Sequence, residues 1–502
     1  MHSSRLFKRQ GYIPLREYVE DIRRMMVAGP WKLPIGLGDR MQLLLLSGMA
    51  KFSWFADALY VRYPFAWSPA YSILVAFLER KGILDTVRER ASYQGGYYHY
   101  HFQKSITIGE DRYLFRGRGI DKRRSVAFSK GLGEIIERMV SGVLDENRDI
   151  VRASPREMVR GKHQIVYPPR YHRFLPLQLE RYRELHRDAT HALEWVWGEN
   201  IVTRQRTAIP VQLTSWFKHQ YNFREVLAYP TSSGSAGFFT EEGALLRGIL
   251  EVVERDAFLV HWLTRIAPRV IVRHTLPEDI QDELQEFETQ GLTLFVLDTT
   301  ALMLPSVCIA ALNERGGTPM VIVSGASDVA FELAVRKALL EIRMLSVQFF
   351  QEDRPGSAVP DLAEPFVSAL DRTTRPRYWR GKERVEAFRW FVSGESITYE
   401  EACAHDQSCS QDDDSRLRAC LVILKKQGKG YYPIVYRPKN DLQNALGFFV
   451  VQVFISKAFP LYLVEHLGTF ESVRLQEFAE SKGVTEWQLN PLPHMLCLPD
   501  FR

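Results

Sequence analysis

Two short segments of the chain carry the same pattern of charged residues, a glycine followed by Glu-x-x-Glu-Arg. They are GLGEIIER at 131–138 and GILEVVER at 248–255. On a helix, carboxylates three positions apart lie on one face, so each segment places two glutamates side by side. The residues between the glutamates are isoleucine and valine, which indicates that both helices are at least partly buried. Like charges repel at this spacing, and burial raises the cost of keeping them ionised.

The two glutamate pairs, Glu134 with Glu137 and Glu251 with Glu254, therefore need a counter-charge. A hard divalent cation with oxygen ligands supplies one, and magnesium in turn bridges to phosphate oxygens. The arginine that closes each segment could neutralise a carboxylate or meet a phosphate. Ordinary helix faces with surface salt bridges are the alternative, and the repetition of the pattern makes that interpretation the weaker one.

A glycine-rich stretch precedes each acidic segment, at 116–119 and at 232–237. Glycine turns that lead into helix N-termini can present backbone N–H groups to anions, so we expect such a turn at both places. Neither stretch is a Walker A loop, and the sequence contains no Rossmann fingerprint and no HExxH zinc motif.

Long helices and short strands are predicted around these segments. Apolar residues recur at helical spacing over 122–142, 240–263 and 329–350. Strands are predicted at 113–116, 292–298, 320–324, 421–425, 432–436 and 447–455, and a polar acidic loop at 406–416. The third helix places Lys337 and Glu341 four positions apart, which by itself indicates no more than a salt bridge.

The composition is that of a globular protein. The chain has 502 residues, of which 46% are hydrophobic and 25% charged, enough to bury a large core. Its formal net charge of +5 is small for this length and argues against a nucleic-acid-binding protein. Five thinly spread cysteines fit a reducing cytosol. Without a signal-peptide pattern or a membrane-spanning apolar run, we expect a cytoplasmic protein with no membrane partner.

Four stretches of the chain resemble the YcaO family of ATP-dependent enzymes. The most specific is SSGSAGFFTEEGALLRGILEVVERDAF, and the set is 232–258, 115–138, 292–341, and 445–463 with NPLPH at 490–494. The resemblance implies an α+β fold of the YcaO type, with mixed and antiparallel sheets and long acidic helices around an ATP site. Residues 104–502 would form the catalytic domain with a proline-rich C-terminal tail. Residues 1–103 would form a small, mainly helical accessory domain for docking or leader recognition.

The resemblance also implies the residues that bind ATP and Mg²⁺. The implied ligands are Glu134, Glu137, Ser235, Glu242, Glu251, Glu254, Arg255, Lys337 and Glu341, with Mg²⁺ held through Glu134, Glu137, Glu251 and Glu254.

Two of these positions depart from the family pattern. Gly243 stands where the family usually has a glutamate, although Glu242 lies at the expected distance from Ser235. A one-residue bulge at the start of the helix would reconcile the two counts. Lys337 replaces a more frequent arginine, which keeps the charge but loses bidentate geometry.

The implied activity is the cyclodehydration of Ser, Thr or Cys residues in a ribosomally made precursor peptide to azolines, with ATP phosphorylating the backbone amide oxygen. The implied partners are an adenylating-enzyme-like, leader-binding protein and a flavin dehydrogenase, in a complex where the chain could form a homodimer. ATP-driven thioamide or amidine formation is the first alternative, because the same ATP site serves all three reactions. A non-catalytic scaffold subunit is the second, because Glu242 and Lys337 depart from the pattern.

The C-terminal tail contains a candidate general base, His494. The resemblance places the C-terminal prolines near the active site, but a lone histidine in a tail is more often merely exposed. A second group of residues, Cys403, His405, Cys409 and Cys420, fits no common zinc spacing, so no zinc site is expected.

Overall fold

A computed structural model of the chain provides the fold. The described residues are 84–91, 96–108, 111–142, 149–186, 190–214, 226–228, 231–313, 321–351, 364–368, 370–371, 374–379, 382–407, 412–438 and 448–496. Residues 1–83 lie outside this set, and with them most of the predicted accessory domain. The chain divides into two units: Met1–Asn147 with Ala236–Ala244 and Pro438–Val450, and Arg148–Ser235 with Leu245–Arg437 and Val451–Arg502.

The described part of the first unit begins with an antiparallel sheet. Its strands are β1 (Thr86–Ala91), β2 (Tyr98–Ile108) and β3 (Asp111–Asp121), in the order β1-β2-β3. The predicted boundary between residues 103 and 104 falls within β2, which pairs with β3 on both sides of it. The division into 1–103 and 104–502 stays a prediction, and the described residues before 104 lie largely in β1 and β2.

A long helix, α1 (Arg124–Gly142), packs against this sheet and carries the first acidic segment. The helix approaches β3 so closely that a Cβ atom at Gly117 would lie 2.3 Å from the carbonyl oxygen of Gly131. At Gly119, a Cβ atom would lie 1.8 Å from the carbonyl oxygen of Ala127. The predicted glycine turn at 116–119 is therefore wrong: these residues belong to a strand, and their glycines make room for the helix.

The other elements follow along the chain. The strands are β4 (Val151–Ala153), β5 (Gln164–Ile165), β6 (His172–Arg173), β7 (Leu193–Asn200), β8 (Arg206–Pro210), β9 (Ser235–Phe238), β10 (Arg269–Ile271), β11 (Thr293–Asp298), β12 (Ser306–Leu312), β13 (Val321–Ser327), β14 (Ser396–Ile397), β15 (Ile434–Tyr436), β16 (Phe449–Phe454) and β17 (Glu471–Ser472). The helices are α2 (Pro155–Arg160), α3 (Pro176–Arg181), α4 (Val211–Thr214), α5 (Glu241–Thr264), α6 (Glu278–Thr289), α7 (Phe331–Gln351), α8 (Arg375–Tyr378), α9 (Lys382–Phe388), α10 (Tyr399–Ala402), α11 (Asp413–Lys426) and α12 (Val473–Ser481).

These strands form sheets of mixed direction. One sheet has the order β13-β12-β11-β10-β14, and another has the order β5-β8-β7-β15-β16-β9 with β4 beside β7. Most pairs are antiparallel, whereas β10 with β14 and β5 with β8 are parallel. The predicted α+β class with mixed and antiparallel sheets is confirmed.

The long predicted helices are confirmed as α5 and α7, but two predictions around α11 are wrong. The run 421–425 is helical rather than a strand, because it is the second half of α11. The acidic residues before it are not only a loop: Asp412 is the N-cap of this helix and accepts a hydrogen bond from the backbone N–H of Ser415. Carboxylates are favoured at a helix N-terminus because they meet unpaired N–H groups and the positive end of the helix dipole.

The core of the second unit surrounds α5 and α7. Trp262 of α5 lies in an aromatic cluster with Trp379, Phe388 and Phe391, while the buried face of α7 packs on β12 and β13. Within the described ranges, no helix combines the length and the apolar character needed to cross a membrane.

Candidate functional site

The second acidic segment lies on α5 and holds its two glutamates with one arginine. The Nη2 atom of Arg255 lies 3.3 Å from Oε1 of Glu251, and its Nη1 donates to Oε1 of Glu254. The side chain of Glu254 is 13% exposed and that of Glu251 is 25% exposed, so both face a partly buried space. One guanidinium thus faces two carboxylates, which leaves this segment one negative charge in excess.

A further carboxylate joins this pair from α7. Burial raises the pKa of Glu254 to about 8; Arg255 opposes the rise, while the negative charges of Glu341 and Glu251 add to it. Space for the crowded side chain comes from β13, where a Cβ atom at Gly325 would lie 3.1 Å from the Glu254 carboxylate. The second unit therefore brings three glutamates together, and a divalent cation would relieve their mutual repulsion.

A lysine stands beside this carboxylate cluster. Lys337 lies one helical turn before Glu341 on α7, and its positive charge lowers the pKa of Glu254. Its Nζ atom donates to Asp328, a fully buried carboxylate just before α7. The glutamates of this cluster therefore suit a cation, and the ammonium of Lys337 suits a phosphate.

The serine-rich stretch forms a tight turn that leads into β9. Gly234 has a φ of +81°, and a Cβ atom there would lie 2.2 Å from the carbonyl oxygen of Val453, so only glycine fits. The predicted turn is confirmed at residues 233–234 and is followed by strand from Ser235. The Oγ atom of Ser235 is buried and has no hydrogen-bond partner in the described structure. Since buried hydroxyls are normally paired, this atom fits a polar ligand such as a phosphate oxygen.

The first acidic segment, in the first unit, has a different environment. Oε2 of Glu134 accepts a hydrogen bond of 2.6 Å from the backbone N–H of Arg118, and its Oε1 lies 2.6 Å from Nη2 of Arg138. Its neighbour Glu137 lies against the end of β9, because a Cβ atom at Gly237 would be 3.1 Å from the Glu137 Cβ. Both glutamates are partly exposed.

Glu242 and Gly243, at the start of α5, are the positions where the sequence departs from the family pattern, and both belong to the first unit. Glu242 is exposed, whereas Gly243 is buried and donates its backbone N–H to Oγ1 of Thr240 at 3.1 Å. The helix runs without interruption from residue 241, so the bulge that would reconcile the two counts is absent.

The structure thus places the expected ligands in two groups. The first unit holds Glu134, Glu137 and Glu242, and the second holds Ser235, Glu251, Glu254, Arg255, Lys337 and Glu341. Across the described residues, no set of three or more His, Cys, Asp or Glu side chains is arranged as a metal site. The donor types, the excess of carboxylate in α5 and α7, and the unpaired Ser235 hydroxyl nevertheless fit Mg²⁺ with a nucleotide.

His494 is fully buried, so the expectation of an exposed histidine in the tail is wrong. Its Nε2 atom lies 2.7 Å from the carbonyl oxygen of Tyr462 and 3.0 Å from Nη1 of Arg375. The next residue back, Pro493, accepts a hydrogen bond of 3.0 Å from Nε1 of Trp379. Burial and the charge of Arg375 hold the pKa of His494 well below its usual range. These contacts anchor the tail, and the role of His494 as a general base stays a prediction.

Two charged residues of this region were missed in the sequence. Asp328 and Arg416 form an ion pair of 2.5 Å across 88 positions, which no local pattern reveals. The one available signal was the position of Asp328 directly before a predicted helix, where capping residues are common. It does cap locally, since it accepts a hydrogen bond of 2.7 Å from the backbone N–H of Val329.

The sequence matches a family model described as YcaO cyclodehydratase, ATP- and Mg²⁺-binding, over residues 116–458. This range contains both acidic segments and the helix with Lys337, and it ends before the tail.

Three individual proteins are similar to parts of the chain. An uncharacterised protein from Methanothermobacter thermautotrophicus is 28% identical over 162 residues, which is 31% of this chain and 41% of that protein. A heterocyclase solved in complex with substrate and cofactor has a TM-score of 0.64 at 17% identity, over 82% of this chain and 55% of the other. YcaO from Methanopyrus kandleri, solved with AMPPCP and Mg²⁺, has a TM-score of 0.53 at 16% identity, over 77% and 89%. The chain therefore spans about half the length of the first two, and the two solved structures show a shared fold.

Proposed function

Because the chain belongs to the YcaO family of ATP- and Mg²⁺-binding cyclodehydratases, we propose that it uses ATP and Mg²⁺ to convert Ser, Thr or Cys residues of a precursor peptide into azolines. The observation that carries the proposal is the cluster of Glu251, Glu254 and Glu341, in which burial and mutual repulsion raise the pKa of Glu254 to about 8. Carboxylates held at this cost are typical of sites that function with a bound cation.

Each part of the site has a role in this proposal. Glu134, Glu137, Glu251 and Glu254 are the proposed Mg²⁺ ligands. The Lys337 ammonium and the unpaired Ser235 hydroxyl would bind phosphate oxygens. When bound, ATP supplies the phosphoryl group that makes the amide oxygen of the peptide a leaving group. The chain itself contributes orientation and charge neutralisation, which account for most catalysis of phosphoryl transfer.

The partner proteins belong to the same proposal. A leader-binding, adenylating-enzyme-like protein is the proposed partner, and the resemblance to the family supports it. A flavin dehydrogenase that oxidises azolines to azoles, and a homodimer within the complex, are proposed on the resemblance alone. Residues 1–103 are proposed as the accessory domain for docking or leader recognition.

The test is to combine the purified chain with a neighbouring short peptide rich in Ser, Thr and Cys, its encoded partners, ATP and Mg²⁺. We expect phosphate release and the loss of one water per ring by mass spectrometry, both abolished by Glu251→Ala. Exchange of a carbonyl oxygen for sulfur would instead establish thioamide formation. Absence of phosphate release with every partner present, together with no effect of Glu251→Ala, would identify a scaffold subunit.

A further inference from the structure

Lys337 shares its buried counter-ion with a second cation. Asp328 is fully buried, and its Oδ2 atom accepts from the ammonium of Lys337. The same carboxylate is contacted by Arg416 of α11, whose Nη2 atom lies 2.5 Å from both Oδ1 and Oδ2. Two positive side chains thus meet one negative side chain beside the carboxylate cluster.

The guanidinium of Arg416 is itself fixed in place. Its Nη1 atom lies 3.3 Å from Oδ1 of Asp413, in the first turn of α11. The other oxygen of Asp413 is 3.0 Å from Nη1 of Arg247, which lies one helical turn before Glu251 on α5. The N-terminus of α11 is therefore tied to α5 and to the start of α7, two of the three helices that carry implied nucleotide ligands, although no sequence motif pointed to it.

The charges of this network do not cancel. Asp328 with Lys337 alone would be a neutral pair, and a lysine neutralised in this way attracts phosphate weakly. Arg416 adds one positive charge to the pair, while Asp413 and Arg247 neutralise each other. Burial alone would raise the pKa of Asp328, but Lys337 and Arg416 hold it below its usual value. Burial alone would lower the pKa of Arg416, and the charge of Asp328 raises it instead.

We propose that Arg416 is a positioning residue of the nucleotide site: it neutralises Asp328, so that Lys337 is held in place by this carboxylate while its positive charge is available to the nucleotide phosphates. The proposal rests on the proposed function, because it takes Lys337 to face the phosphates. It assigns a role to α11, which lies outside the acidic segments, and it explains why a buried carboxylate can stand beside a phosphate-binding lysine.

The test uses charge rescue, measured as the affinity for AMPPCP with Mg²⁺ by titration calorimetry on the full chain. Arg416→Met leaves Lys337 neutralised by Asp328, so we expect affinity to fall about tenfold, within the range typical of an indirect coupling between two sites. Asp328→Asn combined with Arg416→Met frees Lys337 again and should restore affinity to within about threefold of wild type, if the effect is electrostatic. Arg418→Met is the matched control, because Arg418 lies on the same helix, is 66% exposed and pairs only with the nearby Asp414 among the described ion pairs.

Each outcome decides between the proposal and a structural role. If Arg416 served only to hold the fold, removing Asp328 as well would lower affinity further or leave it unchanged, and thermal unfolding of the free protein would track the loss. Asp328→Asn alone is a second test. The proposal predicts that this variant binds AMPPCP at least as tightly as wild type, and weaker binding would contradict it. Wild-type protein that fails to bind AMPPCP would overturn the proposed function too, whereas wild-type binding that Arg416→Met leaves unchanged would overturn this inference alone.

Discussion

The two acidic segments have the same spacing of glutamates and opposite local environments. On α1, Glu134 is 30% exposed and fully engaged, by the Arg118 backbone N–H and by Arg138. On α5, Glu254 is 13% exposed and crowded by Glu251 and Glu341, with the raised pKa that follows. The two segments therefore differ in how closely further carboxylates approach them.

This difference shows that a repeated motif does not imply equal roles. Spacing places both glutamate pairs on one helix face, but the neighbours decide whether the charge is already neutralised. In α1 the backbone of a glycine-containing strand supplies the hydrogen bonds. In α5 a third carboxylate arrives from another helix, so the demand for a cation is concentrated there. The second segment should therefore dominate Mg²⁺ binding, and the first should contribute less.

The largest expected effect is on nucleotide affinity. Glu254→Gln removes one carboxylate from the cluster of Glu251, Glu254 and Glu341. The substitution should weaken Mg²⁺-dependent AMPPCP binding about a hundredfold, as expected for the loss of a direct ligand. Glu134→Gln should weaken it about tenfold or less, because this side chain is largely bonded within its unit. Calorimetric titration measures both, with the exposed Glu278→Gln as control. Equal losses in the two variants would remove the distinction between the segments.

The next largest effect is expected on the free energy of unfolding, through the close contact between α1 and β3. Gly119→Ala forces a Cβ atom into the carbonyl of Ala127, so the free energy of unfolding should fall by at least about 2 kcal/mol. Urea denaturation followed by circular dichroism is the measurement. An unchanged transition would mean that the helix does not depend on this contact.

The raised pKa of Glu254 predicts a pH dependence of stability in metal-free protein. Its folded value of about 8 lies above its ordinary value of 4.5, so between these values the folded state keeps a proton that the unfolded chain has lost. Stability therefore decreases as the pH rises through this window. Because buried histidines with lowered pKa values add a dependence of opposite sign below about pH 6.5, the comparison is with Glu254→Gln: the variant should gain stability relative to wild type from pH 5 to 8. A constant difference would contradict the crowded environment of this carboxylate.

The smallest expected effect is an increase in stability, from a substitution at Gly133 on α1. A Cβ atom at Gly133 would meet nothing closer than 3.6 Å, the Cζ atom of Phe448. Gly133→Ala should therefore stabilise the protein by about 0.5–1 kcal/mol, because alanine is the better helix former. The same denaturation experiment checks it, and destabilisation would show that this face of the helix is packed more tightly than described.

The long helices were predictable from the sequence, whereas the short elements were not. Helices α5 and α7 carry many turns of apolar periodicity, so their prediction rests on many residues. Strand β12 was missed, and the short apolar run 421–425 was assigned to a strand, because five residues cannot distinguish a strand from a buried helical turn. The glycines of 116–119 were interpreted as a turn because the requirement for space comes from α1, across the sheet.

In the candidate site too, residues with a local sequence pattern were predictable and residues brought together only by the fold were not. Glu251 and Glu254 were found because their spacing is local, and the resemblance supplied Lys337 and Glu341. Asp328 and Arg416 were missed because their pairing depends on tertiary structure alone. His494 was expected to be exposed because a tail gives no sign of the tryptophan and arginine that bury it.

The central claim is that the carboxylate cluster of α5 and α7 binds a nucleotide through Mg²⁺. Its most direct test is calorimetric titration of the wild-type chain with AMPPCP, once with Mg²⁺ and once with a chelator in its place. The account predicts one nucleotide bound per chain with Mg²⁺ and little or no binding without it. Binding of equal strength under both conditions, or no binding under either, would contradict it.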